Sequence, residues 1–179
     1  MSTFDLNSAV NTHIAEAASR GRHGIPYIVQ LPRDSRSDWN SAALDYWQHF
    51  GVLIGSDVKP LSVPDRVPSV LLRAVSIRPE FAARITPYDL NIVAQTLDLG
   101  PGERFDLVVA TNILVYYNNF EQALAMDNIA GMMNSGGIFL ANDPLPSAHD
   151  ARLRYLGRKS VPFAAKGEFG DDVVVYQRQ

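Results

Sequence analysis

Phe105-Asp106-Leu107-Val108-Val109-Ala110, running into Thr111-Asn112, is the stretch on which the fold reading turns. Six residues are too few for a stable helix, and an apolar, β-branched run of this length reads as a buried strand of a parallel sheet. Gly100-Pro101-Gly102 just before it marks a turn. Beyond Thr111-Asn112 and Ile113-Leu114-Val115-Tyr116-Tyr117, the spacing predicts a helix over about 119–133. Phe120, Ala123, Leu124, Ile129, Ala130 and Met133 recur there at three- and four-residue steps. Asn118 and Asn119 are its candidate N-caps, and Glu121 suits the positive end of the helix dipole.

Asn134-Ser135-Gly136-Gly137 is predicted to stop that helix, because Gly and Asn tolerate the left-handed conformation of a C-cap. A second apolar run, Ile138-Phe139-Leu140-Ala141, follows at once. Strand, helix and strand within about 40 residues make a βαβ unit, with parallel strands and a right-handed crossover. Nearer the end, Val161-Pro162-Phe163 and Val173-Val174-Val175-Tyr176 flank a polar, glycine-containing stretch from Lys166 to Asp172 and read as an antiparallel pair.

The first hundred residues carry weaker periodicity. A helix is predicted over 8–19 with Val10, Ile14 and Ala17 or Ala18 on one face, and a strand over 25–31. A helix over 41 to about 54, entered through Asp38 or Asn40, aligns Leu44, Trp47 and Phe50 or Gly51. Three prolines make 55–70 a loop, 70–77 reads as a strand, and 79–83 as a short helix. No internal repeat or low-complexity tract interrupts the chain.

Composition narrows the classes. The chain has 179 residues, 46% apolar and 20% charged, which suits one folded domain and excludes wholesale disorder and collagen-like repeats. A formal net charge of −3 offers no broad attraction for nucleic acid or an anionic membrane. With no cysteine there is no disulfide frame, thiolate metal site or cysteine nucleophile, which suits a reducing compartment. The start of the sequence lacks the basic-then-apolar pattern of a secretory signal, so the expected setting is cytoplasmic. His13, His23, His49 and His149 share no ligand spacing, and no metal site is expected. Neither a G-x-S-x-G elbow nor a phosphate loop occurs.

The stretch from Ile85 to Pro144 resembles the second half of class I S-adenosylmethionine-dependent methyltransferases, most nearly the chemotaxis-receptor glutamate methyltransferase group. The resemblance rests on Tyr88-Asp89-Leu90-Asn91, on Phe105 to Tyr117, and on Met132-Met133-Asn134-Ser135-Gly136-Gly137-Ile138-Phe139-Leu140, with the terminal antiparallel pair in support. It implies an α/β, Rossmann-like, three-layer fold: a mainly parallel sheet with helices on both faces, complete or truncated, closed by an antiparallel strand pair. It also implies S-adenosylmethionine as cofactor. Asp89, Leu90 and Asn91 would border its adenine, Thr111 and Asn112 would lie beside the transferring methyl, and Asn112 and Tyr116 would be the catalytic candidates. In open α/β sheets ligands bind beyond the carboxyl ends of strands, which fits that placement. Methyl transfer needs chiefly in-line positioning, so no triad is expected.

The glycine-rich turn that opens such a cofactor site is missing. Gly100 and Gly102 precede the wrong strand, Gly51 and Gly55 are misspaced, and Ile25 to Leu31 is followed by Pro32-Arg33-Asp34. The expected organisation is a single methyltransferase-like domain over 1–179, divergent over 1–69 and Rossmann-like over 70–179. Two functions stay open. One is a methyltransferase-related protein with an incomplete or altered S-adenosylmethionine site, catalytically impaired, or a methyltransferase if active. The other is a non-enzymatic module on the same fold that dimerises or docks through the aromatic segment Trp39, Tyr46, Trp47 and Phe50. The methyl acceptor, small molecule or protein, leaves no trace in the sequence.

Each candidate has a plainer role beside the sharper one. Asp106 marks a strand entry held by turn amides or by Arg104, Asp89 caps a helix, Asn112 satisfies loop backbone, and Tyr116 and Tyr117 pack with a polar tip. Arg152, Arg154, Arg158 and Lys159 form a basic cluster that reads as a solvated face.

Overall fold

The N-terminal strand β1 (Ser2–Asp5) lies parallel to β5 (Thr86–Asp89), with Ser2 opposite Thr86 and Asp5 opposite Asp89. This is seen in a computed structural model that describes residues 1–32, 38–62, 72–100, 102–145, 152–166 and 169–179. Two compact units emerge, Met1–Asp89 with Ala164–Lys166, and Leu90–Phe163 with Gly167–Gln179.

In the first unit, helix α1 (Ser8–Arg22) starts where the Asn7 side chain accepts from the Ala9 amide, and Arg20 and Arg22 sit favourably in its last turn. Its buried residues are small: Ala17, Ala18 and Gly21. A Cβ on Gly21 would stand 2.5 Å from the Ala83 nitrogen and 2.7 Å from the Pro79 oxygen, so glycine is what lets α1 touch the short helix α3 (Pro79–Ala82). Strands β2 (Tyr27–Pro32), β3 (Gly55–Val58) and β4 (Leu72–Ile77) form an antiparallel sheet with β4 in the centre.

Helix α2 (Ser41–His49) is capped by the Asn40 side chain and ends sooner than the expected 54, because Phe50 leaves the helical region and Gly51 turns the chain at φ +89°. Arg73, largely buried, donates to the Trp47 and Phe50 carbonyls and to Asp57, tying the end of α2 to the sheet. The expected loop over 55–70 is corrected at its start: Gly55–Val58 pairs with Ala74–Ile77. Residues 63–70 of that reading, and 70–71 of the expected strand, lie outside the described residues.

The second unit holds the βαβ segment. Strand β6 (Phe105–Ala110) and strand β7 (Met133–Ala141) run parallel and are joined through helix α4 (Asn119–Met132). Asn118 caps α4 in a full capping box with Glu121. The expected glycine stop is corrected. Met133 is already extended, so helix passes directly into strand, and Gly136 (φ +81°) sits inside β7, where the register against β6 shifts. Strands β8 (Leu153–Pro162) and β9 (Gly170–Arg178) form the expected antiparallel pair, giving the order β6-β7-β9-β8.

Ala125, Met126, Ile129 and Ala130 of α4 pack on Phe139, Ala141, Val174 and Tyr176, with Phe139 stacked on Tyr176 at a centroid distance of 5.6 Å. Full burial of each large apolar side chain contributes roughly 1.5–3 kcal/mol. The expected single, mainly parallel sheet with helices on both faces is met only in part. Among the described residues the sheets are small, one parallel, one antiparallel and one mixed, and α4 covers one face of the four-stranded sheet while Leu107 and Val109, on the other, are each 56% exposed. Among the described residues no helix is long and apolar enough to cross a membrane.

Candidate functional site

Ala110 and Ala141 lie opposite each other at the carboxyl ends of β6 and β7, and each strand is followed by an asparagine, at Asn112 and Asn142. Their amides interlock. The Asn112 backbone N–H donates to Asn142 Oδ1 at 2.7 Å, and Asn142 Nδ2 donates back to Asn112 Oδ1 at 2.8 Å. Asn112 has φ +56°, the only positive value at a non-glycine among the described residues, and asparagine tolerates that region best. The turn therefore places amide groups at the edge of the strand ends. Among the described residues Asn112 Nδ2 has no protein acceptor, so a donor remains for a ligand or water.

The segment after Asn112 is held from beneath. Leu114 is buried within a 3-10 turn over Leu114–Tyr116, and Gln122 of α4, itself buried, donates through Nε2 to the Leu114 and Tyr117 carbonyls at 3.0 and 3.1 Å. Gln122 Oε1 is buried with no partner among the described residues, an arrangement that costs about 1–3 kcal/mol. Thr111 is exposed beside Asn112, and Tyr116 is 82% exposed on the rim.

The earlier segment is arranged differently. Leu90 is buried, and Asn91 opens a turn, its Oδ1 accepting from the Val93 and Ala94 amides while its own N–H donates to Gln95 Oε1 at 2.8 Å. Asn128 of α4 donates to the Ile92 and Val93 carbonyls and anchors that turn to the core of the unit. Asp89 is exposed at the end of β5, in the first unit. In the second unit, then, Thr111, Asn112 and Tyr116 share one loop, and Leu90 and Asn91 belong to another.

Two contributors escaped the sequence reading. Asn142 had a readable signal, since Asn-Asp follows the second apolar strand as Thr-Asn follows the first. Gln122 had none, because a glutamine on a helix is ordinarily exposed. Asp106 accepts from Asn134 Nδ2 at 2.8 Å, while Arg104 reaches the Gly131 carbonyl, so Asn134 holds the strand entry. The basic cluster is divided among neighbours: Arg152 pairs with Asp127, Arg154 with Gln177 and Arg158 with Asp172. Among the described residues no three His, Asp or Glu side chains converge as a metal site, and His149 lies outside them. Among the described residues the strand ends carry amides and hydroxyls without a nucleophile–base pair, groups that can donate and accept hydrogen bonds.

No protein-family model matches the chain, and no curated protein matches it in sequence. Solved structures of the N-methyltransferase NodS from Bradyrhizobium japonicum WM9 align at 16% identity. One, in complex with S-adenosyl-L-homocysteine, covers 52% of this chain and 54% of its own at a TM-score of 0.39, and another covers 56% and 66% at 0.41. Magnesium protoporphyrin IX methyltransferase (ChlM) from Synechocystis PCC 6803, with bound SAM, aligns over 53% of this chain and 46% of its own at 10% identity and a TM-score of 0.38. The chain thus spans between 46% and 66% of the length of these structures.

Proposed function

We propose that this chain is a methyltransferase-related protein with an altered S-adenosylmethionine site, one that recognises the cofactor or its demethylated product without being built for efficient transfer. The observation that carries this reading is the interlocked Asn112–Asn142 pair at the carboxyl ends of two parallel strands, the place where open α/β sheets hold ligands. Its supporting elements are Thr111 and the rim residue Tyr116, with Leu90 and Asn91 as the candidates for the adenine border.

The fit to the cofactor is partial. Amide donors and acceptors suited to its polar groups are present at the strand ends, but no described strand ends in a glycine turn that would let backbone approach the methionine part. No catalytic step is therefore assigned. The reading treats 1–179 as one methyltransferase-like domain with a divergent region over 1–69, and takes the cytoplasm, which a cysteine-free chain suits, as its setting.

Calorimetric titration of the full chain with S-adenosylmethionine and S-adenosylhomocysteine tests it. Saturable binding is expected, weakened about tenfold or more in Asn112→Ala, since one hydrogen bond at a desolvated site is worth about 1–3 kcal/mol. Absence of both heat and thermal shift at millimolar ligand overturns the reading.

A second reading, a non-enzymatic module that self-associates or docks, is favoured by exposed apolar surface: Leu107 and Val109 on the bare sheet face, and Tyr46 of the aromatic segment, 66% exposed. Sedimentation of a dimer or larger species supports it, and a monomer at high concentration excludes self-association.

A further inference from the structure

The first unit carries a partly open pocket of about 330 Å³ whose exposed lining is wholly apolar. Its floor is one face of the antiparallel sheet, where Tyr27 and Val29 of β2 and Val75 and Ile77 of β4 alternate onto the same side as period two requires. Its roof is α1 through Ile14 and Ala17, and Ile85 closes one end. The volume is roughly twice the ~150 Å³ of an apolar cavity that takes up one benzene.

Three observations mark this space as a built recess. Val75 and Ala82 in its wall are each 1% exposed while the lining residues Phe50 and Ile54 are exposed, so the recess has a buried base and reaches the surface. The wall behind it is tight, since a Cβ on Gly51 would stand only 3.1 Å from Val75 Cγ1. The nearest polar side chains on the lining, His13 and Tyr27, turn toward each other, with Nδ1 3.4 Å from the phenol oxygen, and add no polar surface inside. Apolar walls left facing solvent or empty space forgo burial and dispersion contacts that an apolar guest would restore.

We infer that this recess is a binding site for an uncharged, apolar small molecule of about the size of a fused two-ring aromatic. The site lies entirely within Met1–Asp89 and is independent of the methyltransferase-related reading.

The test uses the full chain and naphthalene, followed by methyl-resolved NMR and by the probe's own fluorescence. Saturable one-to-one binding is expected, with shifts confined to Ile14, Val29, Val75, Ile77 and Ile85. The charged analogue 2-naphthoate should bind at least about tenfold more weakly, because an unpaired charge is not accepted in such a site. Ala17→Leu, which fills the recess from the roof, should weaken naphthalene at least about tenfold while the protein stays folded. Ile85→Phe fills it from the end and serves if the first variant does not fold. The inference is overturned by the absence of saturable binding to the folded protein, by shifts centred elsewhere, by equal affinity for 2-naphthoate, or by binding that survives a filled recess.

Discussion

The two units bury their apolar residues in different ways. In the second, α4 lays Ala125, Met126, Ile129 and Ala130 onto Phe139, Val174 and Tyr176 in one buried cluster. In the first, α1 buries only Ala17, Ala18 and Gly21, and an apolar space of about 330 Å³ stays open between helix and sheet. Both contain a helix against a sheet, yet only one closes. Side-chain size is the difference: α4 offers Met and Ile where α1 offers Ala and Gly, and a sheet face carrying Val and Ile needs larger partners to reach native density.

Placing the same change in both units is the sharpest way to break this comparison. Ile129→Ala should cost about 3–5 kcal/mol, because it opens a cavity in close-packed surroundings. Ile14→Ala, which borders space already open, should cost about 1–2 kcal/mol by urea unfolding. Equal losses would show that the first unit packs as tightly as the second.

Gln122→Ala comes next, with an expected cost of about 1–3 kcal/mol for removing the side-chain donor to the Leu114 and Tyr117 carbonyls, the first of which keeps the Tyr117 amide. Hydrogen exchange should quicken at the Tyr117 amide, which bonds the Leu114 carbonyl, and stay unchanged in β2–β4. Unchanged exchange at Tyr117 would mean that the loop below Asn112 holds without the glutamine.

The smallest effect is a pH dependence confined to the second unit. Burial holds the Tyr176 phenol above the ordinary tyrosine value. The bond from the Leu145 amide lowers it in part, and Tyr155 raises it. A raised folded pKa favours the protonated native form, so this contribution is fully present below about pH 10 and is lost as pH climbs through the folded value. Tyr176→Phe should flatten that alkaline decline in the urea midpoint, and a decline of unaltered slope would assign it to another group.

The same contrast explains how far the sequence could be read. Phe105–Ala110, the helix capped at Asn118 and the terminal strand pair were legible from apolar runs, a cap and turn residues, although Phe120 and Leu124 of the expected helix stripe are exposed and Ala125 and Met126 are buried instead. The helix-to-strand passage at Met133 was not. Gly136-Gly137 looks like a stop, and only the pairing partner shows that it serves a bulge. Strand β1 gave no local signal, since four residues pairing with a distant segment carry no pattern of their own. Around the candidate site, Thr111 and Asn112 were named from the sequence and Asn142 carried a readable signal, while the supporting Gln122 depends on tertiary placement.

That distant pairing has a consequence for biosynthesis. Residues 2–5 are synthesised well before their partners at 86–89, which are more than eighty residues behind. At roughly 5–20 residues per second they wait several seconds, and they must then close a long loop before any contact rewards it. Strands β8 and β9, separated by a short connection, need no such delay. Strand β9 can thus pair with β8 soon after it emerges, whereas β1 waits unpaired for a distant partner, making it a natural place for a chaperone to act.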